Sequence, residues 1–126
     1  QLLDFVKWAR FDALGCFKYY PEAGTAAAEF ASQIDDNVKQ SRFEQVMLAQ
    51  QQIAFEKNRR KIGTKLTCLI DSVQSDGTAV ARYYGQAPEI DSNCLIQQCP
   101  VPPGSFVKTE VVDVDGYDLV VRQIEY

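Results

Sequence analysis

The chain has 126 residues, 46% of them hydrophobic and 24% charged, with a formal net charge of −4. That composition is ordinary for soluble protein and suffices for one compact domain or two small pieces. No apolar run approaches the roughly 20 residues of a membrane span, so no membrane segment is expected. Histidine is absent, which excludes a Ser–His or Cys–His mechanism within these residues. No secretory signal pattern is visible, and the chain starts at Gln1 rather than Met. It is therefore expected to be part of a longer protein.

In chain order, Leu2 to Arg10 is apolar at helical spacing and reads as the last turns of a helix. Phe11 to Tyr20 holds Leu14, Cys16, Phe17, Tyr19 and Tyr20 and predicts a strand. Helix followed by strand is the texture of a (β/α) layer. Pro21 to Thr25 punctuates it, and Ala26 to Phe30 predicts a helical turn. Asp36 to Lys61 then contains no Pro or Gly and is rich in strong helix formers. Asp35 or Asp36 suits its start, Arg59, Arg60 and Lys61 suit its last turn, and Gly63 is a natural stop. Phe43, Val46, Met47, Ile53 and Ala54 make one apolar stripe, while Leu48 and Phe55 make a second patch on nearly the opposite side. A helix on a single core needs only one stripe, so this one is expected to be held between two bodies, Leu48 and Phe55 against one, Val46 and Ile53 against the other.

After Gly63 the apolar period falls to two. Leu66, Cys68 and Ile70 alternate with Lys65, Thr67 and Asp71, and Asp76-Gly77 signals a hairpin. Thr78 to Tyr84, Asn93 to Gln98, Phe106 to Val114 and Tyr117 to Ile124 are further strands, with Pro100 to Gly104 and Asp115-Gly116 between them. Five short strands in about 60 residues predict a small antiparallel β-barrel, whose closure removes exposed edges. Strand alternation sends one of Tyr83 and Tyr84 inward and the other out.

Charge divides unevenly. Residues 1–62 hold nine Lys/Arg against eight Asp/Glu, a net of +1; residues 63–126 hold four against nine, a net of −5. Phosphate binding normally calls for a basic surface, so the second half points away from nucleic acid, to a basic partner or none. Cysteines stand at 16, 68, 94 and 99, separated by 52, 26 and 5 positions. That spacing does not suit a structural zinc site. Cys16 and Cys68 read as small core residues in a reducing, cytoplasmic setting. Asp113 to Asp118 lacks the remaining ligands of a calcium loop and reads as a hairpin turn. Glu22 to Thr25 reads as a plain turn rather than an anion cradle, and Glu89 with Asp91 forms the one notable pair of carboxylates.

FDALGCFKYYPEAGTAAA, then SRFEQVMLAQQQIAFEKNRRKIG, then ARYYGQAPEID closely resemble the C-terminal part of the radical-SAM methylthiotransferases. The resemblance covers nearly the whole chain and is sharpest over Phe17 to Ala26 and Arg82 to Asp91. It is nearest to the branch that modifies an aspartate of a small-subunit ribosomal protein. It implies that 1–35 ends a radical-SAM (β/α) domain, that 36–62 is a linker helix, and that 63–126 is a TRAM domain, an OB-like five-stranded barrel. It implies a longer enzyme with two 4Fe–4S clusters and S-adenosylmethionine. The cluster motif C-x3-C-x2-C is absent here, and none of the four cysteines matches a family ligand. No catalytic, cofactor or metal residue is carried over, and this piece is expected to be inactive alone. Its expected role is to recruit a basic ribosomal protein through Glu89, Asp91, Arg82, Tyr83 and Tyr84, working with the upstream domain. The rival branch methylthiolates a tRNA adenosine and uses TRAM to bind RNA. A non-catalytic β-barrel binding module is the remaining alternative.

Overall fold

The computed structural model describes residues 1–124. They form α1 (Leu2–Ala9), a 3₁₀ turn (Ala26–Glu29), α2 (Asp36–Lys61) and five strands: β1 (Lys65–Val73), β2 (Ala79–Arg82), β3 (Cys94–Ile96), β4 (Phe106–Asp115) and β5 (Asp118–Gln123). No helix among the described residues is long and apolar enough to cross a membrane. Two compact units divide between Ala54 and Phe55, inside α2.

In the first unit, α1 and the middle turns of α2 bury Val6, Val46 and Ile53 together, with Leu3, Leu14 and Cys16 packed against them. Arg10 ends α1 in the left-handed region at φ 51°, and its N–H donates to the Val6 carbonyl. The buried Gln50 amide donates to the Phe11 carbonyl at 2.7 Å. That bond satisfies a backbone group which the chain leaves unpaired as it turns away from α1. The expected strand at Phe11–Tyr20 is not formed. The segment pairs with no other among the described residues. Its aromatics raise β propensity, yet a strand needs a neighbour to receive its N–H and C=O groups. The Glu22–Thr25 stretch is a turn, with the Thr25 N–H and hydroxyl both donating to the Glu22 carbonyl.

The second unit is the barrel together with the last two turns of α2. The strands close in the order β1-β2-β3-β5-β4. Inward residues at period two make one core from Cys68, Ile70, Ala79, Ala81, Cys94, Ile96, Val107, Val111, Leu119 and Val121. Small alanines on β2 share this narrow interior with larger aliphatics on β3 and β5. β1–β2 turns at Asp76-Gly77, with Gly77 at φ 86° and the Thr78 N–H donating to Asp76 Oδ1 at 2.9 Å. β4–β5 turns through Gly116 and Tyr117, with Gly116 at φ 59°, the left-handed value that a two-residue hairpin loop demands in its first position. Register shifts interrupt the ladders at Ile70/Ser72 and at Val111/Asp113, and bend both long strands around the barrel.

Two expectations need correcting here. The barrel is not wholly antiparallel, because β3 and β5 pair in parallel, Cys94 with Leu119 through Ile96 with Val121. A closed ring of five strands cannot alternate direction all the way round, so one neighbouring pair must run parallel; β3, antiparallel to β2, and β5, antiparallel to β4, are that pair. Leu48 is also not buried but 56% exposed. Phe55 does meet a different body from Val46 and Ile53: its ring lies 5.0 Å from that of Tyr117 at 66°, edge to face. Asn58 adds a 3.0 Å bond from its amide to the Tyr117 carbonyl. The end of α2 is thereby clasped by the β4–β5 hairpin.

Candidate binding surface of the barrel

The outer face of β1 carries Lys65, Thr67 and Leu69 at alternate positions. In register, Leu69 stands between Phe106 of β4 and Arg82 of β2. That row forms the floor of an open groove of about 430 Å³, lined by Lys65, Leu66, Thr67, Leu69, Arg82, Tyr83, Tyr84, Gln86 and Phe106. Phe106 is 71% exposed and Tyr84 99% exposed, so two aromatic rings stand in solvent beside the groove. No lining residue is acidic. The Lys65 side chain makes no hydrogen bond or ion pair among the described residues. Arg82 Nε donates to Asp71 Oδ1 at 3.1 Å; both groups are about one-third exposed, and such a pair contributes about 0–1 kcal/mol.

Tyr83 and Tyr84 divide as alternation requires. Tyr83 packs against the core, and Tyr84 points out, their rings 5.5 Å apart at 89°. Lys61 Nζ lies 5.9 Å from the Tyr83 ring centre. Gly85 makes the close fold possible, since a Cβ there would meet Tyr83 Cε2 at 2.6 Å. The loop beyond is pegged by Gln86. Its Oε1 accepts from the Tyr83 N–H and from the Cys94 thiol, each at 3.3 Å, and its Nε2 donates to Ser92 Oγ at 3.3 Å.

The remaining site candidates lie outside the groove lining. Asp91 Oδ2 accepts from the Ala87 N–H at 2.8 Å and closes the turn. Glu89 sits at the turn's tip at φ 63°, exposed, with no hydrogen bond or ion pair among the described residues. The parallel β3–β5 pairing explains their surroundings. It sets the segments that precede both strands side by side, where the Asn93 N–H donates to Asp118 Oδ1 at 2.8 Å and the Leu119 N–H to the Asn93 carbonyl at 3.0 Å. Glu89 and Asp91 therefore share one end of the barrel with Asp115 and Asp118 of the β4–β5 hairpin. Sequence reasoning missed Lys65, Thr67, Leu69 and Phe106 as groove residues. The alternation in KLTCLI does place the first three on one outer face, but nothing local sets Phe106 beside them. Gln86 carries no sequence signal at all.

Inside the barrel, Thr109 Oγ1 donates to the Leu66 carbonyl at 2.9 Å and lies 3.4 Å from Cys68 Sγ. The neighbouring Cys94 side chain draws the Cys68 thiol down to about 7, while that same neighbour and burial push the Cys94 thiol upward. All four cysteines are free thiols. The donor set does not fit a 4Fe–4S cluster, which takes three or four converging thiolates; no three Cys, His, Asp or Glu side chains converge among the described residues.

The described residues thus present a small closed barrel with an open aromatic groove on its outer face and carboxylate-bearing loops at one end. The chain belongs to the TRAM domain family, whose model matches residues 62–124. It is 38% identical over 98% of its length to the ribosomal protein uS12 methylthiotransferase RimO of Acinetobacter baumannii, and 44% identical over 94% to that of Vibrio cholerae serotype O1. It spans 29% and 25% of those relatives' lengths and matches their C-terminal part. Among solved structures, the apo form of Mycoplasma genitalium RNase R aligns with a TM-score of 0.45 and 13% identity, over 70% of this chain and 17% of that one.

Proposed function

We propose that this chain is the substrate-recruiting part of a radical-SAM methylthiotransferase acting on an aspartate of ribosomal protein uS12. In this reading the barrel holds the protein substrate, and a domain outside these residues supplies the iron–sulfur clusters and S-adenosylmethionine. The observation that carries it is identity to uS12 methylthiotransferases at 38–44% over 94–98% of the chain, well beyond the barrel itself. The net −5 of residues 63–126 supports a basic protein partner steered by long-range attraction. Glu89 and Asp115, whose carboxylates are not engaged elsewhere among the described residues, are the groups best placed to steer without a structural duty.

One observation favours the rival reading, a tRNA-directed enzyme. The groove joins Lys65 and Arg82 to two exposed rings, Tyr84 and Phe106, and cations beside aromatic platforms suit single-stranded nucleic acid. A side-by-side titration of the 126-residue chain with uS12 and with bulk tRNA at moderate salt separates the two. Tighter binding of uS12 is expected, with Glu89→Lys and Asp115→Lys slowing association more than they speed dissociation. Tighter binding of tRNA overturns the ribosomal-protein reading.

A further inference from the structure

The groove beside β1 has a backbone edge that neither reading uses. Hydrogen-bonding direction alternates along an antiparallel strand. On the β4 side, the Val111 N–H donates to the Thr64 carbonyl at 2.9 Å, and the Ile70 N–H donates to the Ser105 carbonyl at 2.9 Å. Steps of two from these positions turn the backbone groups of Leu66 and Cys68 to β4 as well. Those of Lys65, Thr67 and Leu69 face the other way, toward β2. There the β1–β2 ladder ends at the pair Leu69 with Arg82. Past Arg82 the chain leaves the sheet in a turn, closed by the Gln86 N–H donating to the Tyr83 carbonyl at 3.0 Å. The N–H and C=O of Lys65 and of Thr67 therefore open into the groove, and no backbone group among the described residues meets them.

Unpaired strand groups of this kind are a template for a second backbone. Two donor–acceptor sets stand about 6–7 Å apart along β1, the repeat that an extended peptide offers in return. A nucleic acid suits the rings and cations of the groove but carries no such repeat. The side chains around the edge define the rest of the ligand. Lys65 and Arg82 line the groove and no carboxylate does, on a barrel whose residues 63–126 carry a net −5. Arg82 is already held by Asp71, so Lys65 is the cation at hand. Leu69 and the exposed Phe106 ring give an apolar surface beside it.

We propose that this groove binds an extended, carboxylate-bearing peptide segment of a protein partner, added to β1 as a strand at residues 65–67. The segment continues the line that β2 abandons at Arg82. Its backbone pairs with Lys65 and Thr67. An acidic side chain on the outer face meets the Lys65 ammonium, and apolar side chains two positions away lie toward Leu69 and Phe106. This goes beyond the uS12 reading, because it specifies the chemistry and conformation of the bound segment whatever protein carries it.

The test is a nuclear magnetic resonance titration of the nitrogen-15-labelled 126-residue chain with blocked seven-residue peptides. The first is Thr-Val-Thr-Asp-Thr-Val-Thr, the second has Lys in place of Asp, and the third is the first N-methylated at its Asp and Val amides. At about 1 mM peptide, the first should shift the Lys65 and Thr67 amide resonances and slow their exchange with solvent. The other two should bind about tenfold more weakly or worse. Lys65→Glu, an exposed change that leaves the core intact, should reverse the preference between the Asp and Lys peptides. Phe106→Ser should weaken the Asp peptide without reversing that preference. No shift at Lys65 and Thr67 with the Asp peptide, equal binding of the N-methylated peptide, or an unchanged preference in Lys65→Glu would each overturn the proposal. Bulk tRNA that shifts these two amides where the Asp peptide does not would assign the groove to nucleic acid instead.

Discussion

Gln86 is the residue whose loss should say most about the barrel. It is 8% exposed and makes three side-chain hydrogen bonds at 3.3 Å, to the Tyr83 N–H, the Cys94 thiol and Ser92 Oγ. Gln86→Met keeps the length and apolar stem and removes every donor and acceptor. Bonds at this distance are weak, about 0.5–1 kcal/mol net each, but a half-buried Tyr83 N–H left without its acceptor adds a desolvation cost of about 1–3 kcal/mol. Part of that is regained as the loop relaxes toward water, so the expected loss is about 2–3 kcal/mol. For a unit of this size each kcal/mol moves the midpoint by about 4–8 °C, giving a fall of about 10–20 °C. Thermal unfolding followed by far-ultraviolet circular dichroism reads this directly. Ser92→Ala, which removes one partner from the exposed side of the same network, should lower the midpoint by only a few degrees, about 0.5–1 kcal/mol. A Gln86→Met protein that melts within about 3 °C of the wild type would refute the idea that this side chain pegs the loop.

The two patches of α2 predict unequal responses. Phe55→Ala should cost about 1–2 kcal/mol, below the 3–5 kcal/mol of a fully buried ring, and a cycle with Tyr117→Ala should show coupling of about 0.5–1.5 kcal/mol. Leu48→Ala should be nearly silent; chemical denaturation of the three variants decides this, and a large Leu48 effect would contradict its exposure. The Asp76 carboxyl is held below its ordinary range chiefly by the Thr78 N–H. Because the folded value is the lower one, its contribution is full above the unfolded value near 3.8 and disappears as pH falls through the folded value. Wild type should therefore lose its advantage over Asp76→Ala on acidification, and an advantage that grew toward low pH would reverse the sign.

The barrel strands and the long helix were readable because their signals are local. Period-two alternation and Asp-Gly turns mark β1, β2, β4 and β5, and α2 matches a run of helix formers with a charged start and end. The misreadings have non-local causes. Among the described residues, Phe11–Tyr20 has the composition of a strand but no pairing partner, and Leu48 has the spacing of a buried patch but is exposed. The parallel direction of β3 against β5 follows from closing an odd number of strands, which no residue of Cys94–Ile96 encodes. The same limit applies to the site. Arg82, Tyr83 and Tyr84 were identifiable as an aromatic, cationic run, and they do share a groove. Phe106 joins them only through the β1–β4 register, and Glu89 and Asp91 proved to belong to the adjoining turn rather than to that groove. Gln86 was invisible because a loop glutamine becomes structural only once a buried thiol and a strand-end N–H are brought to it.

The parallel seam between β3 and β5 has a consequence for how the barrel assembles. β1 with β2, and β4 with β5, meet through short turns and can form early and locally. β3 contributes only three residues, and its contact with β5 spans 25 positions of chain, Cys94 to Leu119. Closing that seam adds few bonds for a loop-closure cost that must be met first. It is the natural last step of folding and the first place to open afterwards. Amide exchange at Leu119 and Val121 should consequently be faster than at Val107 or Val111, which lie on the long β1–β4 ladder side. When the seam parts, the loop bearing Glu89 and the hairpin bearing Asp115 come apart together, so the barrel's acidic end is as durable as its shortest strand.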